Sequence, residues 1–189
     1  MKHLKISIAA LTIFLSLAAC SNDDDAPFVN EEEVITTLTA TFTPQTGGGN
    51  VVTLTSRDLD GDGPDAPVVT VSGDFTAGAT YNGTVSLLNE TVNPAENISE
   101  EVFEEGDEHQ IFFQHSGLGD FTYADTDVDS KPIGLNFIYE AAATPTSGTL
   151  TITLRHEPNK SAEGVGNGDI TNAGGSTDAT ASFTVSVIN

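Results

Sequence analysis

Apolar residues recur at every second position along much of this chain, with threonine or serine between them, and that period restricts the folds it can adopt. Val34, Thr36, Leu38, Ala40 and Phe42 alternate with Thr37, Thr39, Thr41 and Thr43. The same alternation returns in Val52/Leu54, Val69/Val71, Tyr81/Val85/Leu87, Ile133/Leu135/Phe137/Tyr139, Leu150/Ile152/Leu154 and Phe183/Val185/Val187. A two-residue period sends successive side chains to opposite faces of a strand, so each segment presents one face to a core and one to water. Gly, Pro, Asn and Asp separate the segments, which predicts an all-β domain: a single antiparallel β-sandwich, Ig-like or jelly-roll-like. One short helix is predicted where the period changes. Asn97 is placed to cap it, Glu100 to complete a box-like N-terminus, Ile98 and Val102 to form its apolar stripe, and Gly106 to stop it.

The N-terminus carries an address. Lys2 and Lys5 precede a mostly apolar run from Ile6 to Leu17, followed by Leu17-Ala18-Ala19-Cys20, so residues 1–19 read as a secretory signal peptide. The run is too short to span a bilayer stably. The Leu-Ala-Ala-Cys motif resembles the lipobox of bacterial lipoproteins, which implies diacylation of Cys20 through sulfur, removal of residues 1–19 and acylation of the new N-terminus. Several acyl chains on one residue would anchor the protein, at roughly 0.8 kcal/mol per buried methylene. Cys20 is also the only cysteine, so no internal disulfide can staple the fold.

Residues 20–33 read as an acidic tether, with Asp23-Asp24-Asp25 near its start and Glu31-Glu32-Glu33 at its end, and too little apolar surface to fold. An acidic triplet just after a lipidated cysteine resembles the surface-export signal of Bacteroidota-type lipoproteins. That implies an outer-membrane protein at the cell surface, with the periplasmic face as the alternative. The sandwich domain is then residues 34–189.

Charge narrows the partners. The chain has 28 acidic residues against six Lys and Arg, a net charge of −22, and loss of the signal peptide removes two lysines and no acid. Such a surface repels nucleic acid and anionic headgroups and concentrates cations. The expected partner is therefore the membrane, reached through the lipid on Cys20, and no nucleic acid.

Three groups of side chains are candidates for holding cations. Asp58, Asp60 and Asp62 alternate ahead of Gly63, matching the first six positions of a D-x-D-x-D-G calcium loop, in which carboxylates converge in a tight turn on a hard cation. Position twelve is Val69 where a bidentate Glu is expected, so the loop is no EF-hand; Asp65 is the further carboxylate at hand, and calcium here would be structural. Asp125, Asp127 and Asp129 repeat the spacing before Ser130, a weaker version of the loop. Against both stands the ordinary role of Asp in turns, where it hydrogen-bonds nearby backbone. The third group is histidine. His109 and His115 share a strand face with Ile111 and Phe113, and His156 falls in phase with Leu150, Ile152 and Leu154. Were the three imidazoles to meet, with Glu108 or Glu157 beside them, they would suit zinc or copper.

No G-x-S-x-G, H-E-x-x-H or Cys–His arrangement occurs, so the chain reads as a binding protein and not an enzyme. The glycine-rich stretch from Pro158 to Asp178 lacks phosphate-cradle spacing and reads as a mobile loop.

With the acidic tether, the segments EEEVITTLT (31–39), RDLDGDGPDAP (57–67), ATYNGTVSLLNE (79–90), DEHQIF (107–112) and TITLRHEPNK (151–160) resemble a family of small flavobacterial-type lipoproteins, over nearly all of the mature chain. Members often carry the label "type 1 periplasmic binding fold superfamily", and the resemblance implies no particular ligand or activity. A periplasmic binding protein of that type has two α/β lobes, which a chain with one domain's length and one short helix cannot build. The sequence thus points to a lipid-anchored envelope sandwich acting as a ligand-binding or interaction module, possessing calcium as its one suggested cofactor. The alternatives are a solute-binding or a transition-metal-binding lipoprotein of the periplasm.

Overall fold

The computed structural model describes residues 33–46, 49–61 and 63–189. The Cys20 motif, the signal peptide and most of the tether lie outside the described residues, as does Asp62. The first sheet contains β1 (Thr37–Pro44), β2 (Val52–Arg57), β3 (Val68–Val71), β5 (Thr80–Asn89), β6 (Glu96–Asn97), β8 (Gly119–Tyr123) and β9 (Asn136–Ala141), and the second contains β4 (Phe75–Thr76), β7 (His109–Gln114), β10 (Thr146–His156) and β11 (Ser176–Ile188). Their orders are β3-β2-β1-β5-β9-β8, with β6 added beside β5, and β4-β11-β10-β7. Among the described residues all pairings are antiparallel except the short contact of β4 with β11. Among the described residues the predicted β-sandwich with one short helix is the fold observed.

Alternation explains the packing. Leu38, Ala40 and Phe42 of β1, Tyr81, Val85 and Leu87 of β5, Leu150, Ile152 and Leu154 of β10, and Phe183, Val185 and Val187 of β11 are all buried between the sheets. The centre is aromatic: Phe42 meets Phe75, Phe137 and Tyr139 edge to face, with ring centroids 4.9, 5.2 and 5.6 Å apart. Gly83 lies opposite Phe137 across the β5–β9 ladder, and a Cβ there would lie 2.0 Å from the ring. The missing side chain leaves room for the phenyl group.

Three local features depart from the pattern. The first strand starts at Thr37 and not Val34, because residues 33–36 form a lead-in in which Thr36 donates to Leu88 O through both N–H (2.9 Å) and Oγ1 (3.1 Å), while Val34 is exposed. Ile133 and Leu135 are buried but precede β9: Ile133 O accepts Ile111 N and Leu135 O accepts Val85 N, so this stretch crosses from one sheet to the other. The stretch 158–178 is packed against the protein. It forms two 3-10 turns, Val165–Asn167 and Ile170–Asn172, and buries Val165 and Ala173 on Phe112, the outward face of β7. Glycine content suggested mobility, but the few apolar residues of the stretch all turn to one face.

The helix α1 (Ile98–Glu104) forms where expected and buries Ile98 and Val102. Its cap differs from the expected one, since Asn97 donates through Nδ2 to Glu100 Oε1 (2.9 Å) and caps no backbone N–H. Ser99 Oγ instead fastens the helix to β5 by accepting Leu87 N at 2.7 Å.

Candidate metal centre

His109 and His156 are directly opposite each other at the end of the β7–β10 ladder. Both belong to the inward-facing phase of their strands, so the rings meet between the sheets with centroids 4.7 Å apart. Two carboxylates close the group. Glu33, from the lead-in to β1, places Oε1 2.7 Å from His109 Nε2 and Oε2 3.7 Å from His156 Nδ1. Asp178, on β11, places Oδ2 3.9 Å from His109 Nε2 and Oδ1 3.8 Å from His156 Nδ1. The four side chains are 0–5% exposed, and one ligand atom from each lies within 4.8 Å of all the others.

A β-bulge delivers Asp178. Leu154 pairs with Ala179 but Arg155 pairs with Thr177, so the register skips residue 178. Inward positions on β11 are odd-numbered, from Ala179 to Val187, and regular alternation would turn Asp178 outward; the bulge re-aims its carboxylate toward the histidines. Arg155 holds the bulged end through the carbonyls of Gly174 and Gly175. Gly175, at φ +68°, approaches so closely that a Cβ would lie 2.0 Å from His156 O, which reserves the position for glycine.

Hydrogen bonding sets the tautomer of His109. Its Nδ1 lies 3.1 Å from Glu105 O, which can only accept, so Nδ1 carries hydrogen and Nε2 faces the carboxylates. A proton must then lie between Nε2 and Glu33 Oε1 for a 2.7 Å contact to be attractive. His156 makes no hydrogen bond at either ring nitrogen among the described residues, although its Nδ1 is buried, and Glu33 Oε2 is buried in the same condition. Buried polar atoms of this kind need a partner, water or an ion to offset their lost hydration. Negative charge surrounds the group. Burial, then repulsion from Glu105, Glu33 and Glu96, raises the Glu101 carboxyl above its ordinary value.

These groups can coordinate. In a tetrahedral site with bonds of about 2.0–2.2 Å, neighbouring ligand atoms are about 3.3–3.6 Å apart, so the 3.7–3.9 Å separations would contract slightly and the 2.7 Å contact of Glu33 Oε1 with His109 Nε2 would have to open. Ligation would release the proton shared by His109 Nε2 and Glu33 Oε1 to water, and the two carboxylates and two neutral imidazoles then left would balance the charge of one divalent ion, which offsets much of the cost of burying it. His109 Nδ1–H on a backbone carbonyl is the outer contact that orients a ligating imidazole.

The third histidine is elsewhere. His115 lies just past the opposite end of β7, about 20 Å along an extended strand from His109. Its ring is 5.1 Å from Phe121, in a surface crevice shared with Phe113, Asp120, Tyr123 and Asn167, and burial pushes its imidazole below the usual value. Glu33 and Asp178 were missed by sequence reasoning. A period that fails by one residue before Ala179 was the available signal for Asp178; Glu33 looked like one more acid of the tether.

The Asp triplets have other surroundings. Asp125 accepts Gly134 N and Asn136 N, each at 2.7 Å, and Asp127 Oδ1 accepts Asp129 N and Lys131 N. Asp127 Oδ2 takes Lys160 Nζ at 2.9 Å, so an ammonium stands where a bound cation was expected, and Asp129 is an exposed turn residue. Burial raises the Asp127 carboxyl, but Lys160 and the two backbone donors outweigh it and hold the group below the usual range. In the first loop Asp60 Oδ2 accepts Asp65 N at 3.2 Å, both carboxylates are exposed, and Asp58 Oδ1 is buried without a hydrogen-bond partner among the described residues.

Comparison of the chain with protein-family models, curated proteins and solved structures finds no match to any of them.

Proposed function

We propose that this protein is a lipid-anchored, cell-envelope β-sandwich that binds a divalent transition-metal ion through Glu33, His109, His156 and Asp178. The observation that carries the reading is the burial of two imidazoles and two carboxylates around one point, with Glu33 Oε2 and His156 Nδ1 lacking any hydrogen bond among the described residues. Imidazole with carboxylate in a four-ligand buried set favours zinc or copper over calcium, which takes six to eight oxygens. The centre of the space between the sheets is filled by Phe42, Phe75, Tyr81, Phe137 and Tyr139, which argues against a deep solute pocket at that point; a groove of about 470 Å³ opens at the end of the sandwich beside Glu33, Leu38, Ser56 and Asp178. Cys20 supplies the anchor in this reading, and the acidic tether the route to the outer membrane.

The test is thermal unfolding of metal-free protein titrated with zinc. At a free concentration of about 100 times the dissociation constant, linkage adds about 2.7 kcal/mol, which raises Tm by roughly 5–10 °C for a domain of this size. His109→Ala and Asp178→Asn should each abolish the rise. A variant that responds to zinc like the wild type would defeat the assignment.

A second reading concerns the loop after β2. Asp58 Oδ1, buried without a hydrogen bond among the described residues, supports a calcium ion held with Asp60, Asp62 and Asp65. Such an ion would stabilise the loop without serving the function proposed above.

A further inference from the structure

We infer that His156 is shared between two ions, with a second, solvent-facing subsite made by His156 Nε2, Glu108 and Glu157. This rests on the metal centre proposed above and adds to it an ion that the buried ligand set cannot hold.

The imidazole of His156 points both ways. Nδ1 faces Glu33 and Asp178 in the buried centre, and Nε2 faces outward, 3.7 Å from Glu108 Oε2. Glu108, His156 and Glu157 also offer one ligand atom each within 4.8 Å of one another, so two ligand groups meet at a single ring. The ring is buried; Nδ1 is buried without a hydrogen bond among the described residues, and Nε2 lies 3.7 Å from Glu108 Oε2, beyond hydrogen-bond reach. A buried imidazole with an open position on each side is suited to bridge.

The two subsites differ in exposure. The inner side chains are 0–5% exposed, whereas Glu108 is 53% exposed and Glu157 faces solvent. Glu157 is held at φ +49°, its N–H donating to Glu108 O at 2.6 Å, so the two glutamates are tied by backbone at the mouth of the centre. The outer ion would complete its shell with water. Its class is the same as the inner one, zinc or copper, because one ligand atom is imidazole nitrogen.

The chemistry of sharing is explicit. The inner ion takes the Nδ1 lone pair, which leaves the ring proton on Nε2. When the outer ion binds, the Nε2–H bond breaks, the proton passes to water, and the freed electron pair forms the second coordinate bond; no atom changes oxidation state. Two cations on one ring favour that loss by withdrawing charge from it.

The experiment uses the intact, metal-free chain in detergent and counts bound ions by calorimetry and by metal analysis of the isolated complex. Wild type should take up two zinc equivalents, the second weaker, and Glu108→Gln with Glu157→Gln should keep the first and lose the second. Copper(II) then tests the bridge, since two copper ions on one imidazolate couple antiferromagnetically and the paramagnetic resonance signal should fall as the second equivalent is added. One equivalent in wild type, or two in the double variant, overturns the outer subsite. Two equivalents with simply additive copper signals overturn the sharing of His156. Absence of any ion that His109→Ala removes would overturn the buried centre itself, a separate result.

Discussion

Lys160→Met tests whether the loop around Asp127 is built on a cation that the chain supplies itself. Lys160 Nζ donates to Asp127 Oδ2 and Pro132 O, each at 2.9 Å, and to Gly106 O, so one ammonium ties the end of α1, the 125–132 loop and the 158–178 stretch. The side chains are 5% and 1% exposed, which takes the pair out of the surface class. Methionine keeps the length and removes the charge, leaving the Asp127 carboxylate with its two backbone donors among the described residues. Breaking a buried pair from one side costs about 3–5 kcal/mol, and the two orphaned carbonyls push toward the upper end. At about 2–4 °C per kcal/mol, Tm should fall by roughly 6–20 °C. Pairing the change with Asp127→Asn should recover part of the loss, because no buried charge is then stranded. The sign with pH also follows. A carboxyl held below its ordinary value contributes stability above its unfolded value of about 3.9 and loses it as pH falls through the folded one. The gap between wild type and Asp127→Asn should therefore close in acid. Thermal and urea unfolding measure all of this. A loss below about 1 kcal/mol for Lys160→Met would mean that the pair behaves like a surface contact, and the reasoning would fail.

Cys20→Ser should leave the chain unlipidated and shift it from the membrane fraction to the soluble one, as intact mass and fractionation would report; unchanged mass with unchanged membrane retention would remove the anchor. Calcium should raise Tm through the first Asp loop, with Asp60→Asn plus Asp62→Asn abolishing most of the gain and Asp125→Asn plus Asp127→Asn leaving the calcium increment intact. An equal shift from sodium at matched ionic strength would reduce Asp58 to Asp65 to an acidic turn.

The strands were legible because their cause is local. Alternation in Leu38-Thr39-Ala40-Thr41-Phe42 states which face is buried without reference to any other segment, and α1 announced itself by Ile98 and Val102. What lay beyond reach was what long-range packing decides. Val34 continues the period yet stays exposed, because Thr36 is committed to Leu88 O and the chain enters the sheet only at Thr37. The stretch 158–178 reads as glycine-rich loop until Phe112 is seen to need a cover for its outward face.

The two kinds of candidate cation site differ in legibility for one reason, and that reason separates the effects an ion would have on stability. Asp58, Asp60, Asp62 and Asp65 are neighbours in sequence, so a pattern search finds them, but neighbours in sequence also gather around a cation in the unfolded chain. Binding to the unfolded state subtracts from the stabilisation that a ligand gives. Glu33, His109, His156 and Asp178 come from four separate segments and meet only once β7, β10, the β11 bulge and the lead-in are all in place. No spacing rule joins them, and no unfolded conformer presents them together without paying the closure of loops more than a hundred residues in total span. An ion held there is therefore coupled to the whole fold. At equal intrinsic affinity, zinc at the buried centre should stabilise the domain more than calcium at the Asp loop, and the legibility of a site should run opposite to the stability its ion confers.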